Sequence, residues 1–122
     1  MTTEPESIYL DGNPKSAAGA VKPQFHLIPL APLAYLARVF EHGAAKYGPF
    51  NWRETGVKAS VYISAILRHL FAWTEGEDLD PDSGKPHLAH VMASCCILLD
   101  AYLSGKLIDD RPKANNYKVA AV

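Results

Sequence analysis

Between His69 and His90 the chain gathers His69, Glu75, Glu77, Asp78, Asp80, Asp82, His87 and His90, all side chains able to bind a cation or move a proton. Gly76, Ser83 and Gly84 lie among them, so the backbone can bend there and bring carboxylates and imidazoles together. Carboxylate oxygens suit Mg2+ and Mn2+, and Mn2+ accepts imidazole more readily, so Glu77 and Asp80 with a histidine would serve either ion. Such an ion bridges phosphate oxygens and activates water. Each residue also has a plainer reading. His69 lies in an otherwise apolar stretch and fits a hydrogen-bonded core histidine. Asp78, Asp80 and Asp82 alternate through a turn and fit caps and solvated loop residues, with Asp82 or Ser83 the expected cap of the next helix. His87 and His90, one turn apart at a helix edge, fit surface positions. Asp100 follows ten residues after His90, about 15 Å along a helix, so it would serve a second position or another subunit.

A second group precedes this one. Lys46-Tyr47-Gly48-Pro49-Phe50-Asn51-Trp52-Arg53 joins two cations, an amide and three aromatics around a Gly-Pro turn. Lys46 and Arg53 could neutralise phosphates, Asn51 could bond a base or sugar, and an aromatic such as Tyr47 or Trp52 could stack on a purine. The alternative is a turn whose Phe50 and Trp52 plug the core.

Three helices must position these groups. The first is expected from about Pro32 to Lys46, with Leu33, Leu36, Ala37, Phe40 and Ala44 at helical spacing and Gly48-Pro49 as its stop. The second spans about Lys58 to Glu75, with an apolar stripe of Ile63, Ile66, Leu67 and Leu70; Tyr62, Ala65, His69, Trp73 and Glu77 share another side if the helix persists that far. The third spans about Pro86 to Ser104, with Leu88, Val91, Met92, Cys95, Leu99 and Tyr102 as the expected core face and His87, His90 and Ser94 as a polar strip at its edge. No strand of useful length is expected, so the fold class is all-α: a bundle of three main helices (32–112) with an extended N-terminal arm (1–31) and a polar tail (113–122). The arm follows from five of the nine prolines lying between Met1 and Pro32. Helices this short bury little alone, and the wide stripes predict that the bundle is completed by oligomerisation.

Composition narrows the function. Across 122 residues, 48% are hydrophobic and 20% charged, as in a globular protein with one modest core. A formal net charge of −1 supplies no broad positive field, so no nucleic-acid partner is expected. No apolar run approaches the roughly 20 residues that span a bilayer, and the polar start points to an unprocessed cytoplasmic protein without a membrane partner. The two cysteines, Cys95 and Cys96, are adjacent; they suit a reducing compartment and read as small buried hydrophobes.

Taken together, the motifs resemble the phage-associated dATP/dGTP diphosphohydrolase-like family, related to the MazG-like all-α nucleoside triphosphate pyrophosphatases. The resemblance covers most of the chain: Asn13-Pro14-Lys15-Ser16, Lys22-Pro23, His42-Gly43-Ala44, Lys46 to Arg53, Arg68-His69, Ala72-Trp73 and Gly76-Glu77-Asp78. It continues through Asp80-Pro81, Ser83-Gly84, His87-Leu88-Ala89-His90, Leu98-Leu99-Asp100-Ala101 and Asp109-Asp110-Arg111-Pro112. It implies a metal-dependent enzyme that uses Mg2+ or Mn2+, in a dimer or tetramer, to cleave a purine deoxynucleoside triphosphate to its monophosphate and pyrophosphate. dGTP is expected first and dATP second, in phages remodelling nucleotide pools for 2-aminoadenine DNA. The MazG-like pattern pairs Glu-x-x-Glu on one helix with Glu-x-x-Asp on the next; here Glu77 and Asp80 give one such spacing, and His87-Leu88-Ala89-His90 stands at the second. On this basis Glu77, Asp80, His87 and Asp100 are the expected metal ligands or their supports. Glu77, Asp80, His69 and His90 are the expected catalytic group. Lys46, Tyr47, Asn51, Trp52, Arg53 and Arg68 are the expected substrate contacts, while Asp109, Asp110 and Arg111 lock the tail or complete a neighbour's site.

Two other classes compete. A phosphohydrolase with different products would use the same residue types, although no adjacent His-Asp pair supports the HD type. A non-enzymatic helical interaction module would leave the acid and histidine cluster as a solvated turn. A helix-turn-helix DNA binder is weaker, because neither later helix carries a basic cluster.

Overall fold

The computed structural model describes residues 11–113; the start of the arm and the tail from 114 onward lie outside the described residues. The chain divides into two compact units, Met1–Leu30 and Ala31–Val122. In the first, Asn13 accepts a hydrogen bond from the Lys15 amide at 3.0 Å and Pro14 fills the first turn, which starts helix α1 (Pro14–Ala20). A single 3-10 turn follows at Phe25–Leu27. The arm expected to be extended therefore contains a short helix. Asn13-Pro14 is a cap and first-turn pair, whereas seven residues without apolar periodicity carry no other helical signal.

The second unit is built on α2 (Leu30–Tyr47), α4 (Ala59–Thr74) and α5 (His87–Leu103), with a single turn α3 (Trp52–Thr55) between the first two. The architecture is all-α, as the sequence leads one to expect. α2 ends where Gly48 takes φ 90° and its amide bonds Ala44 O at 2.8 Å, a conformation that glycine adopts without steric cost. Phe50 also has positive φ, 55°, in the turn that delivers α3.

A small parallel pairing, unforeseen in the sequence, joins β1 (Val57–Lys58) to β2 (Leu107–Ile108), with Val57 opposite Leu107. Gly56 makes it possible: a Cβ there would meet Ile108 Cδ1 and Lys106 O at 3.3 Å. Beyond β2, the Asp110 carboxylate accepts from the Ser60 amide at 2.8 Å and from the Ser60 hydroxyl, capping the start of α4. Asp110 thus ties the segment after β2 to the start of α4, and Asp109 pairs with Arg111 at 2.7 Å. These contacts bring the end of α5 to the start of α4, while His69 near the end of α4 meets His87 at the start of α5, so the two helices run antiparallel.

Two small clusters form the core. Val39 packs with Ala89 and Ala93, supported by Leu36 and Phe40; Trp52, Val57 and Ala101 pack with Tyr62, Ile97, Leu98 and Leu107. The inward side of α5 therefore consists of His87 and alanines. The stripe expected as the core face is turned outward: Leu88, Met92, Leu99 and Tyr102 are all exposed, as are Cys95 and Cys96, which were expected to be buried. Periodicity groups residues on one face but does not say which face is inward, and the alanines leave room for Val39, Trp52 and Val57 to pack against α5.

Candidate functional site

α4 does not persist to Glu77. It ends at Thr74, where Gly76 (φ 97°) donates to Trp73 O and the Glu77 amide to Ala72 O, both at 3.0 Å. This paired closure is the Schellman arrangement, and it turns Glu77 off the helix axis toward the start of α5. Glu77 Oε1 lies 2.6 Å from His87 Nε2, and His87 Nδ1 lies 2.8 Å from His69 Nδ1. His87, expected at a helix edge, is the buried polar residue of the core, 4% exposed.

The following loop is held by its own backbone. Leu79 bridges Pro86, the Asp80 amide donates to Lys85 O at 2.8 Å, and Gly84 donates back to Asp80 O at 2.7 Å. Its conformation turns Asp80 inward. One carboxylate oxygen accepts from the Asp82 amide at 3.2 Å, and the other lies 3.5 Å from His90 Nε2. Ser83 bonds His90 through its hydroxyl at 2.6 Å instead of capping α5, which begins after Pro86 with no side-chain cap. The His69 and His90 rings stack at 4.4 Å between centroids, 6° from parallel. Ligand atoms of His69, Asp80 and His90 consequently lie within 4.8 Å of one another. One residue comes from each of α4, the loop and α5, which is why no local motif announces the set.

The electrostatics suit a cation. Burial holds the His69 imidazole below its usual range against the pull of Asp80. Burial and the neighbouring His69 do the same at His90. At Asp80 burial pushes the carboxyl up, but the Asp82 amide and the surrounding imidazoles outweigh it, and the group stays below the usual carboxylate range. Neutral imidazoles beside an ionised carboxylate are the protonation states that a metal requires.

Two adjoining hollows open around this cluster. The polar one, about 530 Å³, is lined by His42, Lys46, Arg68, His69, Asp80 and His90, among others. The apolar one, about 720 Å³, is lined by Phe40, Tyr47, Phe50, Trp52, Tyr62 and Ile97, among others. Tyr47, Asn51, Tyr62, His90 and Ser94 line both.

The remaining expected site residues divide. Lys46, Tyr47, Asn51 and Arg68 border the cleft, and Lys46 Nζ reaches Asp82 at 3.4 Å. Trp52 is buried and donates to Asp100 at 2.8 Å, while Arg53 grips the same carboxylate at 2.8 and 2.6 Å and stacks over Phe50. Asp100 is thereby held down to about 2 by its bonds from Arg53 and Trp52. These bonds tie α3 to α5 and engage both Asp100 oxygens, so Asp100 lies outside the His69, Asp80 and His90 group and the Arg53 guanidinium is paired. Glu77 and His87, expected as ligands, bond each other instead. Ser94, on the expected polar strip, also lines the cleft, as does His42, whose ring edge faces His90 at 6.5 Å and which was not among the expected site residues. The signal for His42 was its one-turn spacing from Lys46 on the same helix.

A family described as dATP/dGTP diphosphohydrolase, N-terminal, matches residues 12–111. The chain belongs to this family. Among curated proteins, one named dATP/dGTP diphosphohydrolase from Salmonella phage PMBT28 is 28% identical over 86 residues, covering 70% of this chain and 27% of that protein. The chain thus spans about a quarter of the length of that curated relative. No solved structure matches it. The family match includes α4, the Asp80 loop and α5, so the whole histidine and carboxylate cluster falls inside it. No helix among the described residues is long and apolar enough to cross a membrane.

Proposed function

We propose that this chain is a divalent-metal-dependent purine deoxynucleoside triphosphate pyrophosphohydrolase. The observation that carries the reading is the divided cleft: a histidine, carboxylate and cation lobe joined through Asn51 and His90 to an aromatic lobe. The name of the phage relative points the same way.

His69, Asp80 and His90 would hold the ion. Two imidazoles and one carboxylate suit Mn2+ better than Mg2+, which prefers oxygen ligands throughout. When bound, such an ion supplies positive charge at phosphate oxygens and makes a water more acidic. The protein's own part is positioning. Arg68 and Lys46 border the polar lobe and neutralise phosphate charge, the exposed Lys46–Asp82 pair being weak enough for a phosphate to displace. Phe40, Tyr47 and Phe50 give the base a stacking surface, and Asn51 offers both a donor and an acceptor to its edge. Water then attacks the α phosphorus, the bond from that phosphorus to the bridging oxygen breaks, and the monophosphate and pyrophosphate leave. dGTP is the first substrate in this reading and dATP the second, in a phage-type remodelling of nucleotide pools for 2-aminoadenine DNA. The reading includes a homo-oligomer in the cytoplasm, where Cys95 and Cys96 remain free thiols.

The test is to incubate the protein with each of the four deoxynucleoside triphosphates, with and without Mn2+ or Mg2+, and to separate the products. Purine monophosphate and pyrophosphate, lost with EDTA and in Asp80→Ala, are expected. Release of tripolyphosphate or single phosphates would replace the proposed reaction with another phosphohydrolase. No metal-dependent turnover would leave the interaction module.

A further inference from the structure

Three side chains from three different segments form one hydrogen-bonded line: Glu77 Oε1 to His87 Nε2 at 2.6 Å, then His87 Nδ1 to His69 Nδ1 at 2.8 Å. The line has a direction. A carboxylate can only accept, so His87 carries its proton on Nε2. With both rings neutral, a histidine protonated on Nε2 has a bare Nδ1, which must accept from His69 Nδ1–H. His69 then has no proton on Nε2, the nitrogen not engaged by His87.

We propose that Glu77 and His87 are positioning residues that set the tautomer of His69, so that its Nε2 lone pair is directed to the His69, Asp80 and His90 cluster. The proposal rests on reading that cluster as a metal site. It concerns which nitrogen of each ring bears the proton, not the gain or loss of one. His87 is suited to the task because it is almost fully buried, where water cannot readily substitute for either partner and a reversed proton would leave two donors facing each other. The closure at Gly76 supplies Glu77 at one end. At the other, the stack on His90 fixes the plane of the His69 ring. Both nitrogens of His87 are used, so His87 supports the cluster without ligating. This is the general way in which a carboxylate acting through a further group orients a metal-binding imidazole.

The test is a long-range proton–nitrogen NMR correlation on metal-free protein with 15N-labelled histidine, at about pH 8 where imidazoles with ordinary values near 6.5 are neutral. His87 is expected as the Nε2–H tautomer and His69 as the Nδ1–H tautomer. Glu77 is half-exposed, so Glu77→Leu should keep the helical circular dichroism. It should mix the His69 tautomers and weaken Mn2+ binding, followed by electron paramagnetic resonance, by about 10-fold. Wild-type His69 protonated on Nε2, or tautomers and Mn2+ affinity unchanged in Glu77→Leu, would overturn the proposal. Because the tautomers are read without metal, a wild-type protein that binds no Mn2+ would refute the metal reading separately.

Discussion

His90 touches more of the cleft than any other histidine: it bonds Ser83, faces Asp80, stacks on His69 and meets the edge of His42. Burial lowers the affinity of His69 and His90 for protons, and this has a sign in stability. Their folded values lie below the ordinary 6.5, so as pH falls through about 6.5 the unfolded chain takes up protons first and the folded state loses ground. Above about pH 7 the two groups contribute no slope. Urea midpoints of the metal-free protein should therefore be level between about pH 7 and 8 and fall toward pH 5.5. The fall should be smaller in His90→Phe, and an equal fall in that variant would remove His90 from the explanation. The residue types of the cluster were legible in the sequence because His69, Asp80 and His90 lie within 22 residues. Their partners were not. Trp52 and Arg53 bond Asp100 across 48 and 47 positions, a pairing that no local pattern encodes.

Among the elements, the three long helices follow from periodicity and from Gly48, Gly76 and Gly105 as stops, each with positive φ. What periodicity could not give was the side of α5 that turns inward, since an alanine and histidine face looks less apolar than the Leu88 to Tyr102 stripe. Nor could it give the β1–β2 pairing, because two residues are too few to alternate. The Gly76 closure carries the most functional weight, because it ends α4 and turns Glu77 toward His87. Gly76→Ala places a side chain at φ 97° and should cost about 1 kcal/mol in chemical denaturation, with a weaker hold on Mn2+ as Glu77 shifts. Unchanged stability and metal affinity would show that the backbone there is not constrained. In the core, Val57 is 1% exposed between β2 and α5, and Val57→Ala should cost about 2 kcal/mol through lost burial and the cavity left behind.

For the whole molecule, the buried set among the described residues is small: Val39, Trp52, Val57 and four alanines, with His87. Larger apolar side chains remain outside, with Leu88, Met92, Leu99, Tyr102 and Leu103 on α5 and Phe71 and Leu67 on α4. An exposed apolar face of this kind is suited to an identical face. Sedimentation of the wild type should give a dimer or larger, and Leu99→Glu with Tyr102→Glu should shift it toward the monomer. A monomeric wild type at tens of micromolar would contradict the oligomer.

In the proposed reaction, turnover requires an ion held by His69, Asp80 and His90. Titration of metal-free protein with Mn2+ by electron paramagnetic resonance addresses that point directly. The expected result is saturable binding in the wild type, weakened at least about 10-fold in Asp80→Ala and in His90→Ala and little changed in Asp100→Asn, whose native partners are Arg53 and Trp52. Equal binding in all four proteins, or loss only in Asp100→Asn, would contradict the site.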